Sequence, residues 1–258
     1  MFTILSMAIA LVYHLALETS FLESLGKSAA ASLAFFLSWA ISREIDPALE
    51  WSAFAALPFT LIAALMYGSP SLVTLFFILL LGRLINGSTG LQATPVDAAL
   101  LIILGVVLFT GGTLIALPFL AAAFGLVGIL HVPTPAGRRH GLYALICLTL
   151  LIIMFIFFYP QHYYVPGFSI YTGTAALALA VLTIVLVLRA GKGQVSGDNS
   201  EEALDVRRIR LAQVVLALFI VADFYLKGSI ALVMLYPACF AYLGTAAYNL
   251  FRRPDCNG

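Results

Sequence analysis

Leu142–Pro160 reads LYALICLTLLIIMFIFFYP, and Phe168–Leu188 reads FSIYTGTAALALAVLTIVLVL. Neither run carries a charge, and each is about as long as the twenty or so apolar residues that a helix needs to cross a bilayer. Inside lipid every backbone N–H and C=O must be paired within the protein, so only helices and closed barrels can span. A barrel reads as apolar–polar alternation in segments of about ten residues. These runs are continuous, which makes them helices.

The rest of the chain agrees with them. Of its 258 residues, 62% are hydrophobic and 10% charged, against about 45–50% and about 25% in soluble domains. A water-soluble fold of this size would lack the polar surface to cover itself. Apolar runs between polar or Gly/Pro breaks place helices at 2–17, 26–42, 47–67, 71–86, 95–110, 113–130, 141–159, 168–189, 205–226 and 229–250. The expectation is an all-α polytopic integral membrane bundle of about ten transmembrane helices, a single domain over 1–258. Several early spans are only about 24 Å long at 1.5 Å per residue. The pair joined at Gly111–Gly112 therefore also fits a re-entrant hairpin. The N-terminal stretch MFTILSMAIALVYHLA lacks the positive leading region of a cleavable signal and reads as a first helix that stays.

Charge gives a second, independent signal. With the N-terminus inside, cytoplasmic loops and the tail hold Arg43, Arg83, Arg138, Arg139, Arg189, Lys192, Arg207, Arg208, Arg210, Arg252 and Arg253. Only Lys27 and Lys227 fall outside, so eleven of the thirteen basic residues lie on one side. Cytoplasmic loops are enriched in Lys and Arg, and one missed crossing would scramble the alternation. The reading is a plasma- or inner-membrane protein with both termini cytoplasmic and a cytoplasmic loop at 190–208. Arg207, Arg208 and Arg210 are expected at lipid-headgroup depth. A net charge of +1 offers no nucleic-acid surface. The partners expected are membrane lipids, other membrane subunits or a second copy of the chain.

Ionisable groups within a membrane usually face the bundle interior or a wet cavity, so each is a candidate. In GRLINGSTGLQATPVD, Arg83 closes the fourth helix, and Asn86, Ser88 and Thr89 sit on a Gly-rich break that offers backbone N–H groups to an anionic ligand. Asp97 follows Pro95 and is expected to pair with Arg83. The structural alternative is a tight turn, with Thr94 capping a helix that has Pro first and Asp in its opening turn. Asp46 is expected as an N-cap with Pro47 at the first helical position. Glu44 with Asp46 is a weaker cation or proton candidate.

Asp223 and Lys227 stand four apart on one helix face, as either a substrate or proton site or a solvated end pair. Tyr236–Pro237 follows, and broken helices are where transporters place sites. His14 and Glu18 share the same spacing; His131, His140 and His162 read as interfacial, and Tyr159, Tyr163, Tyr164 and Tyr171 as an aromatic belt. Cys147, Cys239 and Cys256 are widely separated and read as small apolar residues. No HExxH, GxSxG or paired-carboxylate motif is present, so no catalytic residue, metal or cofactor is expected.

The plan resembles, in topology alone, that of drug/metabolite-type transporters, which are built as five plus five inverted helices. That resemblance implies halves at 1–112 and 113–258. RLINGSTGLQATP after helix four and YLKGSIALVMLYP after helix nine each hold a basic residue, a Gly-Ser pair and a later Pro, as corresponding segments of such halves would. Three functions follow as alternatives: a secondary transporter for a small molecule or lipid-linked substrate, a non-catalytic membrane subunit, or a membrane-embedded lipid or prenyl enzyme.

Overall fold

The computed structural model describes residues 2–17, 20–47, 51–87, 94–130, 134–158, 169–190 and 205–251. Among them the secondary structure is helical throughout, in the order α1 (Phe2–Ala16), α2 (Phe21–Ile45), α3 (Ser52–Ala55), α4 (Leu57–Tyr67), α5 (Leu72–Asn86), α6 (Pro95–Thr110), α7 (Ala116–Leu130), α8 (Pro135–Phe158), α9 (Ile170–Arg189), α10 (Val206–Lys227) and α11 (Ser229–Phe251).

Three of the expected helices differ most from the sequence expectation, each for a physical reason. α2 starts five residues early because Ser20 caps it, its hydroxyl accepting from the Glu23 N–H at 3.3 Å. It also runs on to Ile45. Asp46 is therefore not the N-cap of the next helix: it follows the C-terminus of α2, its own N–H donating to Ser42 O. The single helix expected over 47–67 is two, broken at Ala56. Pro58 has no N–H to return to the carbonyl of Phe54 and crowds that turn. α8 begins at Pro135, with Thr134 Oγ1 accepting from Gly137 N–H, so Arg138, Arg139 and His140 are helical, not in a loop.

Four helices, α2, α5, α10 and α11, make the centre. Their buried apolar side chains, among them Ile41, Phe77, Leu81, Phe219 and Tyr242, join those of α6 and α7 in one core. Phe219 meets Phe77 and Phe119 at ring-centroid distances of 5.6 and 5.4 Å. α2 approaches its neighbours closely through small residues, Ser28, Ala31, Ser32, Ser38 and Ser42, which is how membrane helices pack. Their hydroxyls are satisfied within the helix or across it: Ser28 and Ser42 donate to the carbonyl one turn back, and Ser32 donates to Thr3 O on α1.

α1, α3 and α4 flank α2 and α11 on one side. α6 and α7 form an antiparallel pair beside α5, α8 leans on α7 and α6, and α9 packs on α10 and α11. Among the described residues α2 meets α1, α3, α4, α5, α10 and α11, and α8 meets α6 and α7.

Five helices, α2 and α8 to α11, are long and apolar enough to cross a membrane; α1, α5, α6, α7 and the α3–α4 unit are apolar but shorter. Burial separates them further. In the most apolar window 56% of residues are buried in α2, α10 and α11, but 11% in α8 and 22% in α9. The outer side of α8 is Leu145, Ile152, Phe155, Ile156 and Phe157, all exposed. In water such a continuous apolar face would be an aggregation site; against hydrocarbon it carries no penalty. These features support a membrane-embedded helical bundle.

Candidate functional site

The candidate residues fall into two groups at opposite ends of α10. At 1.5 Å per residue, Gln213 and Asp223 stand about 15 Å apart along that helix.

The first group lies where α2 and α5 end and α10 begins. Gly82, one residue before Arg83, decides its partner. A Cβ there would lie 3.3 Å from Glu44 Cβ and 3.1 Å from Leu216 Cδ1, so the bare glycine lets α2 and α10 close on α5. Arg83 consequently pairs with Glu44, Nε donating to Oε1 at 3.0 Å, and not with Asp97 as its sequence neighbourhood predicts. The pair is asymmetric: the Arg83 side chain is 45% exposed and that of Glu44 is 5%. Asp97 is exposed and engaged elsewhere. Its Oδ2 accepts from both N and Oγ1 of Thr94 at 2.8 Å, completing a capping box with Pro95 at the first position. Ser88 and Thr89 lie outside the described residues.

Asn86, fully buried, donates from Nδ2 to the Glu44 carbonyl, and Gln213, also fully buried, donates from Nε2 to the next carbonyl, Ile45, at 2.7 Å. Two amides from two helices thus close the open end of α2, whose last carbonyls have no intrahelical donor. Arg208 does the same for α5, with Nε on Ile85 O at 2.7 Å, and Arg210 for α9, with Nη2 on Ala190 O at 3.1 Å. These two guanidiniums, expected at lipid-headgroup depth, cap carbonyls, where a cation also suits the negative helix end. Gly87 makes this geometry available. It takes a left-handed φ of 63°, and a Cβ there would sit 2.6 Å from Arg208 Nη2. Asn249 Nδ2 adds a bond to Asp46 Oδ2 at 2.9 Å, Arg189 Nη1 reaches Asn249 O, and Tyr242 OH donates to Gln213 O at 2.6 Å.

The second group is smaller. Lys227 Nζ lies 3.0 Å from Asp223 Oδ1 and 3.2 Å from Oδ2, and donates to Thr113 Oγ1 at 2.7 Å. Only Oδ2 has hydrogen-bond geometry, so Oδ1 is a buried oxygen held by charge alone. Asp223 is 0% exposed and the Lys227 side chain 17%, so this is not a solvated pair at a helix end. The turn between α6 and α7 covers it and supplies Thr113. Thr113 went unread because its only local signal is the Gly111–Gly112 pair before it.

The proline break expected beside this site is filled. α11 passes through Pro237 as one helix. Ser71 N–H donates to Met234 O at 3.1 Å, Ser38 Oγ to Pro237 O at 3.0 Å, and Tyr236 OH to Gly68 O at 3.3 Å. Neighbouring segments thus bond two carbonyls near the proline, Met234 O and Pro237 O, and accept the Tyr236 hydroxyl.

The remaining candidates are dispersed. His14 is buried on α1 against Tyr13, and His140 stacks on Phe124; Glu18, His131, His162, Tyr159, Tyr163 and Tyr164 lie outside the described residues. Tyr171 is exposed, Cys147 is buried, and Cys239 is half-buried. Among the described residues no three His, Cys, Asp or Glu side chains gather as a metal site would require. A lateral cleft of about 400 Å³ opens between α6, α7 and α8, and its lining, Phe109, Leu114, Pro118, Leu151, Ile152, Phe155 and Ile156, holds no carboxylate.

No family model, curated protein or solved structure matches the chain. Function is therefore argued from the two groups themselves.

Proposed function

We propose that this chain is a small secondary carrier of a plasma or inner membrane, and that Asp223, Lys227 and Thr113 form its charge-bearing site. One observation carries the reading: a carboxylate with no solvent exposure, in an apolar helix, whose counter-charge comes from a lysine one turn away. A charge at membrane depth is expensive, about 2.5–3.5 kcal/mol on insertion scales and more in simulations, and such groups mark ion and substrate paths. A carrier also needs a group whose energy differs between its two states, and an ion pair that can be opened by a ligand or a proton is such a group. Arg83, Asn86 and Asp97 then belong to the opposite, basic end, the first two in its polar junction and Asp97 as a helix cap.

The test uses proteoliposomes loaded with a pH-sensitive dye and challenged with a panel of amino acids, organic acids and amines. Wild type should give a substrate-dependent proton signal, Asp223→Asn should give none while remaining monodisperse in detergent, and Asp223→Glu should keep part of it. A fully active Asp223→Asn protein would remove Asp223 from the mechanism.

The same reading takes ten crossings with both termini cytoplasmic, supported by the eleven-to-two division of basic residues. A reporter at Gly197 should then report cytoplasm and one at Pro166 the outside; both on one side would end the ten-crossing plan.

The second reading, a non-catalytic membrane subunit, is favoured by one feature, the nearly unburied apolar flank of α8. There, Asp223→Asn changes stability with no flux to lose, and α8 is covered by another chain in native membranes.

A further inference from the structure

We infer that the junction of α2, α5 and α10 is a binding site for a small monovalent cation of sodium size, coordinated by Asn86 Oδ1, Gln213 Oε1 and the Glu44 carboxylate. The inference is independent of the carrier reading; if both hold, this ion is a candidate for coupling.

The first observation is a pair of orphans. Asn86 Oδ1 and Gln213 Oε1 are buried acceptors with no hydrogen-bond donor among the described residues, on side chains with no solvent exposure. Buried polar atoms are nearly always partnered, and leaving one bare costs about 1–3 kcal/mol. Exchanging amide oxygen for nitrogen is no remedy. Both nitrogens already donate to backbone carbonyls, Asn86 to Glu44 O and Gln213 to Ile45 O, so the oxygens are fixed as what remains.

Register places the two amides at one depth in the bundle. Gly82 stands against both Glu44 and Leu216, and α5 and α10 are antiparallel, since Arg208 reaches Ile85. Asn86 is one turn beyond Gly82 and Gln213 nearly one turn before Leu216, so both shift to the same depth. They hold consecutive carbonyls of α2 there. Glu44 Oε2 lies 3.4 Å from Asn86 Nδ2. A third unpartnered oxygen, Thr245 Oγ1, sits at the same end of α11, within the turn that ties Asn249 to Asp46.

The chemistry selects the ligand. The donors are all oxygens, two amide and one carboxylate, which suit hard cations and not the softer transition metals. Two helix C-termini point their negative ends at the junction. Arg83 already occupies Oε1 of Glu44, and Arg208 caps α5 nearby, so little negative charge is left over. A divalent ion, which takes six or more oxygens and usually several carboxylates, would be under-compensated.

The experiment measures thermal unfolding of the purified protein in detergent, in NaCl, KCl, LiCl or choline chloride at one ionic strength, together with ²²Na⁺ binding by scintillation proximity. For millimolar affinity, sodium should raise Tm by about 3–5 °C over choline, with saturable ²²Na⁺ binding. Gln213→Leu and Asn86→Leu, which delete an oxygen, should abolish both. Gln213→Glu, which keeps an oxygen but loses the Nε2 bond to Ile45 O, should retain ²²Na⁺ binding at lower basal Tm, and a Gln213→Glu protein that folds without binding sodium also overturns the inference. Equal Tm in all four salts without ²²Na⁺ binding would mean that only water fills the junction, and the inference fails. A full sodium response in Gln213→Leu would place the ion elsewhere and equally overturns it.

Discussion

Lys227→Met is expected to lower the stability of the bundle by about 3–5 kcal/mol, because it strands the Asp223 carboxylate without its counter-charge. The asymmetry of the pair sets this scale. Asp223 has no exposure, and Lys227 is its one counter-charge among the described residues. Removing the aspartate instead should hurt less, since Lys227 keeps Thr113 and some contact with water. Removing both charges with Asp223→Leu and Lys227→Met should return stability to within about 1 kcal/mol of wild type, as exchanging a buried ion pair for apolar residues often does. Unfolding in mixed micelles of rising denaturing-detergent fraction measures all four corners of the cycle. A Lys227→Met protein within about 1 kcal/mol of wild type would show that water reaches the pair. The double variant also separates folding from function: it should be stable and silent in transport.

Gly244→Ala is expected to cost about 1–3 kcal/mol and Gly244→Leu to abolish folded protein, through overpacking. A Cβ at 244 would lie 2.6 Å from Ala56 N and 2.9 Å from both Ala55 C and Ala56 Cα. These are backbone atoms at the break between α3 and α4, so no rotamer change relieves the contact. α11 must move away, and it carries Tyr242, Pro237 and Asn249, which bond to α10 and α2. Gly125→Ala is the control: its Cβ meets nothing within 4 Å, and alanine favours a helix by up to about 1 kcal/mol. Fluorescence-detected size exclusion after a heating series reads all three. Equal melting of Gly244→Ala and Gly125→Ala would mean that α3 is free to shift.

How much of this was legible beforehand follows from the range of each interaction. The apolar runs act locally, so the all-helical class and most helix ends could be read directly. Thr94–Asp97 was readable as a cap because all its atoms lie within four residues. Asp223–Lys227 was readable as a pair, but not as buried, since the cover arrives from Thr113 over a hundred residues away. Arg83 was assigned to Asp97 because the two are close in the chain; the glycine beside it, which admits Glu44, makes the opposite choice. Gln213 carried no local signal at all. A lone glutamine in an apolar helix says only that some partner exists, and its partner is Ile45 O on α2.

The caps on the basic end also set an order for biogenesis. The carbonyls that end α2, α5 and α9 take their donors from Gln213, Arg208 and Arg210, all on α10. Ser38 and Asp46 each gain a further bond from residues 199 and 203 positions downstream on α11. A nascent chain that has delivered its first nine helices therefore lacks the donors for one end carbonyl on each of α2, α5 and α9, which α10 brings, and the bonds that α11 adds to α2. Nonsense or frameshift lesions late in the reading frame leave an inserted protein with those ends open, a form suited to capture by membrane quality-control proteases.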